Sequence, residues 1–197
     1  MYTIYRTPGI ILQSIPIGEA SRYLSIFTRE FGRVGVFAQG VREMKSKLRY
    51  HLEDYSYTEI EMIEGKHGWK ITNAEESVNY GRALLGNDTP AFEIIVKMIR
   101  LLERLLRGEE ANRALFDDTV SGFSLMFEQK IPKEHLHNFE IILVMRILSH
   151  LGYWGNNQIP DAFLQKDLAH PNLLQEISYI KSIAIQEINK SLKATQL

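Results

Sequence analysis

The sequence predicts an α+β fold in two parts, an N-terminal five-stranded β-barrel followed by a C-terminal helical bundle. Three observations carry this. Through residue 78 the apolar runs are rich in β-branched and aromatic residues, alternate with polar ones and are divided by glycine turns, the pattern of strands with one wet face. After Gly86 the apolar period becomes helical. The charge is segregated as well: the first 50 residues hold eight Lys or Arg against three Asp or Glu, and the whole chain has a net charge of −1. A basic start and an acidic remainder imply different partners for the two parts. The boundary is expected near residue 82, giving domains 1–82 and 83–197.

Taken in order, residues 2–17 read as one long strand, bent or interrupted near Pro8 and Gly9, where a proline suits an edge or a bulge. Arg22 to Thr28 and Arg33 to Val41 form a hairpin around the turn at Phe31 and Gly32. A basic loop then runs to about Glu53. Tyr55 to Ile63 sets Ile60 and Met62 against Glu59 and Glu61, the alternation of a half-buried strand. Glu64 to Gly68 supply a turn, and Trp69 to Val78 make the fifth strand. Five short strands in about 80 residues, with no helical pattern between the first four, point to a small closed or nearly closed barrel of the OB type.

The second part opens with a helix capped by Asp88 or Thr89, with Pro90 at its first position and Gly108 just past its end. One side of it carries Phe92, Ile95, Met98, Ile99, Leu102, Leu105 and Leu106; the other carries Lys97, Arg100, Arg104 and Arg107. Glu110 to Gln129 follows as a second helix, weakened at Thr119 to Gly122. Pro132 to Leu151 is a third, ending at Gly152. Asp161 to Asp167 adds a short turn, and Leu173 to Leu192 is a last amphipathic helix.

Composition excludes several classes. There is no cysteine in the 197 residues, which removes disulfides, thiolate metal ligands and cysteine nucleophiles together. No apolar stretch reaches the roughly 18 residues of a membrane span, and the N-terminus lacks a secretory pattern, so a cytoplasmic protein is expected. The sequence has no phosphate-binding glycine loop, no HExxH and no spacing that pairs two acids for catalysis. A binding protein, not an enzyme, is the expectation, with no cofactor.

The chemistry concentrates in one segment. Arg42, Lys45, Lys47 and Arg49 fall within eight residues broken by a single acid, Glu43, and that density of charge must face water or a polyanion. Nucleic acid is the first candidate, and a plain solvated loop is the competing reading. Arg29, Arg33 and Arg22 would extend the patch across the barrel or merely cover a sheet edge. Phe27, Phe31, Phe37, Tyr55, Tyr57 and Trp69 either stack on bases or fill the core. The helical stripe of Lys97, Arg100, Arg104 and Arg107 is either a solvated face or a site that neutralises a phosphate backbone or an acidic partner peptide.

The run GIILQSIPIGEASRYLSIFTREFGRVGVFAQGVREMKSKLRYHLEDYS resembles the N-terminal domain of the RecO family, bacterial mediators of recombinational DNA repair. The resemblance is carried by Gly9 to Leu12, the Ile17-Gly18-Glu19 turn, the FTREFGRV block at 27–34, Ala38 to Arg42 and Lys45 to Leu48. LSHLGY at 148–153 is a further echo in the helical part. The resemblance implies an OB domain that binds single- and double-stranded DNA, anneals strands and helps to load recombinase. It also implies RecR and the single-strand binding protein as partners.

One departure is plain. Many members of the family follow the Gly-Tyr position with cysteines that hold zinc, whereas Trp154, Gly155, Asn156 and Asn157 stand here, so no metal is expected. The chain is also shorter than the resemblance implies, and later helices with a lost or altered partner site are expected. Two alternatives remain open: a protein-interaction scaffold whose basic loop docks an acidic partner, and an RNA-binding OB protein.

Overall fold

The computed structural model describes residues 3–84, 89–155, 159–170 and 172–195. Tyr2, Asp88, the Thr89 side chain, Asn156 and Asn157, all used in the sequence reading, lie outside the described residues. The chain divides into two compact units, residues 1–87 with 106–113, and residues 88–105 with 114–197. The single boundary expected near residue 82 therefore differs from the division by contacts, because residues 106–113 belong with the barrel.

The first unit is a closed barrel of five strands: β1 (Ile4–Ile17), β2 (Ser21–Thr28), β3 (Gly32–Ala38), β4 (Ser56–Gly65) and β5 (Gly68–Asn79), in the order β1-β2-β3-β5-β4. The OB-type barrel read from the sequence is present. β1 is long because it serves two neighbours: residues 4–10 pair with β4 and residues 9–17 with β2. Gly9 belongs to both ladders, opposite Thr28 and Thr58, and a Cβ there would meet the Ile26 side chain at 2.7 Å. Pro8 sits where the β1–β2 ladder ends, with its carbonyl accepting the Arg29 N–H at 3.1 Å, and the bulge lies further on, between Ile11 and Gln13. The missing proline N–H thus costs little. β3 and β5 run parallel and close the barrel through Val36 opposite Trp69 and Phe37 opposite Lys70.

Alternation decides what fills the barrel. Ile11, Leu24, Ile26, Val34, Val36, Ala38, Ile60, Met62, Ile71 and Ala74 form its core, joined by Val41 and Leu52 from the connection between β3 and β4. β3 stops at Ala38, not Val41 as expected, because Gly40 takes a left-handed φ of +65° and turns Val41 into the core. Tyr5, Phe31 and Trp69 pack edge to face or tilted, with ring centroids 5.2–5.6 Å apart. A short helix not anticipated from the sequence, α1 (Tyr80–Leu84), follows β5.

Residues 106–113 close on the β2–β3 turn. The Arg33 N–H donates to the Gly108 carbonyl at 3.2 Å, Trp69 Nε1–H donates to Glu109 at 3.1 Å, and Arg113 pairs with Glu30. The helix expected from Glu110 begins at Arg113 for this reason.

The second unit holds α2 (Thr89–Leu105), α3 (Arg113–Phe127), α4 (Leu136–His150), α5 (Ala162–Gln165) and α6 (Leu173–Ala194). α2 buries Ala91, Ile94, Ile95, Met98, Ile99, Leu102 and Leu105. Phe92, expected on that face, is half-buried. α3 ends on Gln129, whose φ of +55° lets the Lys130 N–H reach the Leu125 carbonyl at 3.0 Å. α4 ends in the same way on Gly152, with the Tyr153 N–H bonded to the Leu148 carbonyl at 2.8 Å. α6 bends at Ile180, just past the point where the Ser178 hydroxyl donates back to the Gln175 carbonyl.

Candidate nucleic-acid interface

The connection between β3 and β4, residues 39–55, carries the cationic cluster. Its apolar residues point inward and its basic ones outward: Val41 and Leu52 are buried, Leu48 packs against the barrel core, and Arg42, Lys45, Lys47 and Arg49 are exposed. Three anchors at irregular spacing hold a non-repetitive backbone against the barrel, with one 3₁₀ turn at Lys47–Arg49. The charged side chains are therefore displayed from a fixed frame and have less order to gain on binding.

Hydrogen bonds secure both ends of the loop. At its start the Arg42 N–H donates to the Ala20 carbonyl at 2.8 Å, its guanidinium donates to the Gly18 carbonyl at 3.1 Å, and the Gly40 N–H donates to the Ser21 hydroxyl at 3.2 Å. At its end Arg82 donates to the Tyr50 carbonyl at 3.3 Å and forms ion pairs with Glu53 and Glu76. Asn79 Nδ2 donates to the Asp54 carbonyl at 3.3 Å and to the Ser56 hydroxyl at 2.7 Å, while Ser56 donates to Glu76 at 2.8 Å. His51 Nδ1 accepts the Glu76 N–H at 3.2 Å. Glu53 and Glu76 are thus paired with Arg82, and the loop's lysines are left for solvent. Among the described residues, neither Lys45 nor Lys47 has an ion pair.

The structure brings together only part of the predicted patch. Arg42, Lys45, Lys47 and Arg49 share one loop, beside the β1–β2 turn, and Arg22 stands opposite Ala38 in register where that loop departs. Arg29 and Arg33 lie toward the other end of the β2–β3 hairpin. The ladder from Arg22–Ala38 to Thr28–Gly32 runs six residues, about 20 Å. Both are engaged there: Arg29 pairs with Glu30 at 3.1 Å, and Arg33 Nε donates to the Ser25 hydroxyl at 2.9 Å with Nη1 3.4 Å from the Leu106 carbonyl. These two arginines are close in sequence to the basic segment but hold the β2–β3 turn and residues 106–108 in place.

The aromatic residues divide similarly. Phe27 is fully buried, Phe31 and Trp69 pack on the core, and Phe37, Tyr55 and Tyr57 are half-buried. Two exposed tyrosines of the barrel unit were not anticipated from the sequence. Tyr23 stands on the outer face of β2, and Tyr50 lies in the basic loop with the Arg49 guanidinium 5.9 Å from its ring centroid. The alternation of β2 against Leu24 and Ile26 was the signal that could have found Tyr23.

The helical stripe is also incomplete. Lys97 pairs with Glu140 of α4 at 3.0 Å, and Arg107 lies beyond the end of α2, in the segment that belongs with the barrel. Arg100 and Arg104 remain exposed on α2.

Inside the helical unit, Asp118 lies against Arg146 and His150. Burial pushes the Asp118 pKa up, but a hydrogen bond from His150 at 2.8 Å and the charges of Arg146 and His150 outweigh it and hold the carboxyl below its usual range. Among the described residues no three His, Asp or Glu side chains gather as a metal set, and no helix is long and apolar enough to cross a membrane.

Comparison with known proteins places these features in a family. Residues 1–78, the whole barrel apart from the end of β5, match the family described as "Recombination protein O N terminal". The DNA repair protein RecO of Heliobacterium modesticaldum is 29% identical over 150 residues, covering 76% of this chain and 52% of that protein. The RecO of Frankia casuarinae is 33% identical over 153 residues, 76% of this chain and 60% of that protein. The RecO of Bifidobacterium longum subsp. infantis is 30% identical over 111 residues, 56% of this chain and 46% of that protein. The matched part of the chain thus spans about half of these curated relatives' length. From the barrel match and from relatives that continue into the helical unit, the chain belongs to the RecO family.

Proposed function

We propose that this chain is a DNA-binding protein of recombinational DNA repair that acts without catalysis, holding DNA through the basic loop of its barrel. The observation that carries the reading is the loop itself: Arg42, Lys45, Lys47 and Arg49 are displayed from a backbone pinned by Val41, Leu48 and Leu52, with Glu53 and Glu76 tied to Arg82. A solvated loop needs no such anchoring, and a site for a stiff polyanion gains from it.

The mechanism is electrostatic. Each cation near a phosphate releases condensed counterions, so contact by four side chains gives a log-log salt slope of roughly −3 on single strands and nearer −4 on duplex. Backbone contacts carry no sequence information, so both forms bind with little sequence preference. Two strands held on a cationic surface repel each other less, which favours annealing. Assistance in recombinase loading, with RecR and the single-strand binding protein as partners, follows from the family resemblance. Arg100 and Arg104, exposed on α2, are the residues offered for the acidic tail of the single-strand binding protein. Reversing both charges is expected to weaken that peptide; unchanged affinity removes the assignment.

The test is fluorescence anisotropy of labelled single- and double-stranded oligonucleotides at several salt concentrations. Wild type is compared with a variant carrying Arg42→Glu, Lys45→Glu, Lys47→Glu and Arg49→Glu. Tight binding with a steep salt slope that collapses in the variant supports the reading. No binding by folded wild type at low salt overturns it, and equal affinity of the variant removes the loop from the interface.

A further inference from the structure

The outer face of β1, β2 and β3 carries an exposed apolar row beside the basic loop. Ile15 of β1 stands opposite Tyr23 of β2, Tyr23 opposite Phe37 of β3, and Phe37 opposite Lys70 of β5. Residues paired across strands share a face, so the four side chains form one line around the barrel wall. Ile15 is 47% exposed and Tyr23 45%, in a barrel whose other large apolar side chains mostly point inward. Gly35 explains the tyrosine's posture. A Cβ on Gly35 would stand 1.9 Å from the Tyr23 hydroxyl oxygen and 2.7 Å from its Cζ, so the phenol end of the ring fills the space that a side chain at 35 would take.

We infer that Tyr23, with its phenol end packed over Gly35 and flanked by Ile15 and Phe37, is a stacking platform for the unpaired bases of single-stranded DNA. Charge complementarity selects this occupant. Lys70 ends the row on one side without an ion pair among the described residues, and the basic loop leaves β3 one residue past Ala38, within reach of the phosphates of a strand whose bases lie on the row. The outer surface of strands 2 and 3 is where barrels of this type take oligonucleotides in general, and base–aromatic stacking tolerates any sequence. A duplex has no free base face to offer, so the row discriminates where the loop does not. This inference rests on the proposed DNA-binding role and deepens it.

Tyr23→Ala and Tyr23→Phe are assayed by anisotropy against an oligothymidylate of about 20 nucleotides and a duplex of similar length. The alanine variant is expected to bind the single strand about 5- to 150-fold more weakly and the duplex within about two-fold of wild type. The phenylalanine variant keeps the ring and stays within about two-fold on both. Gly35→Ala, which displaces the ring, follows the alanine pattern. Equal weakening on both probes, or none on the single strand, overturns the platform. The fourfold loop variant separates the two ideas: if it loses both probes while Tyr23→Ala loses neither, the stacking platform falls and the DNA-binding role stands. If folded wild type binds neither probe, the role itself falls.

Discussion

Arg146 offers the sharpest test of the energetics inside the helical unit. It is 4% exposed on α4, and every arm of its guanidinium is used. Nε donates to the Phe163 carbonyl at 3.0 Å, Nη2 to the Lys166 carbonyl, and Nη1 lies 3.2 and 3.4 Å from the two oxygens of Asp118. One side chain therefore ties α3 and both ends of the α5 turn to α4. Replacing it with methionine keeps much of the volume, so a cavity contributes little. What is lost is polar. Two carbonyls lose a charged donor, at about 1–3 kcal/mol each if water cannot reach them. Asp118, one quarter exposed, keeps His150 and solvent, so its loss is smaller than that of a fully buried partner. Against this stands the cost of burying a guanidinium, which the variant no longer bears. The balance is a destabilisation of about 3 kcal/mol. In urea, with a slope of about 1–3 kcal/mol per molar, the midpoint read by far-ultraviolet circular dichroism falls by about 1–3 M at unchanged slope. A loss below about 1 kcal/mol would show that water satisfies both carbonyls and that the clamp contributes little.

Three other outcomes follow from single contacts. Asp118 has a folded pKa below its unfolded value near 3.9, so its contribution is complete above that value and is lost as pH falls through the folded pKa; Asp118→Asn should make acid unfolding shallower below about pH 4 in a circular dichroism titration. Gly32 has φ +67° and lies so close to the Glu110 backbone that a Cβ would stand 2.2 Å from its carbonyl oxygen, so Gly32→Ala should cost about 2–4 kcal/mol by urea melt and expose residues 106–113 to proteolysis. Gln129 ends α3 in the left-handed region, and Gln129→Gly should gain about 0.5–1 kcal/mol, the relief of strain less the entropy of glycine in the unfolded chain, measured as a raised melting temperature.

The sequence carried the barrel and the bundle because each depends on local period. Alternation along Tyr57 to Ile63, and the 3.6-residue spacing of Ile95, Met98, Ile99 and Leu102, are set by which face each residue presents, and that is written in the order of the residues. The Lys45 to Arg49 cluster was legible for the same reason, since so dense a charge leaves no inward option. Element ends were less legible. Val41 reads as strand by composition, yet Gly40 turns it into the core; Glu110 reads as helix, yet residues 106–112 are held to the β2–β3 turn by partners more than 70 positions away in the chain. Site membership was decided by register alone. Arg29 and Arg33 precede Arg42 by only 13 and 9 positions, but the antiparallel ladder places both at the turn end of the hairpin, away from Arg42, and assigns them local partners. The same ladder sets Ile15, Tyr23 and Phe37 in one row, from three strands that share no sequence motif. Period and composition are properties of one strand at a time; which residues of different strands meet depends on where each turn falls, and that only the tertiary structure decides.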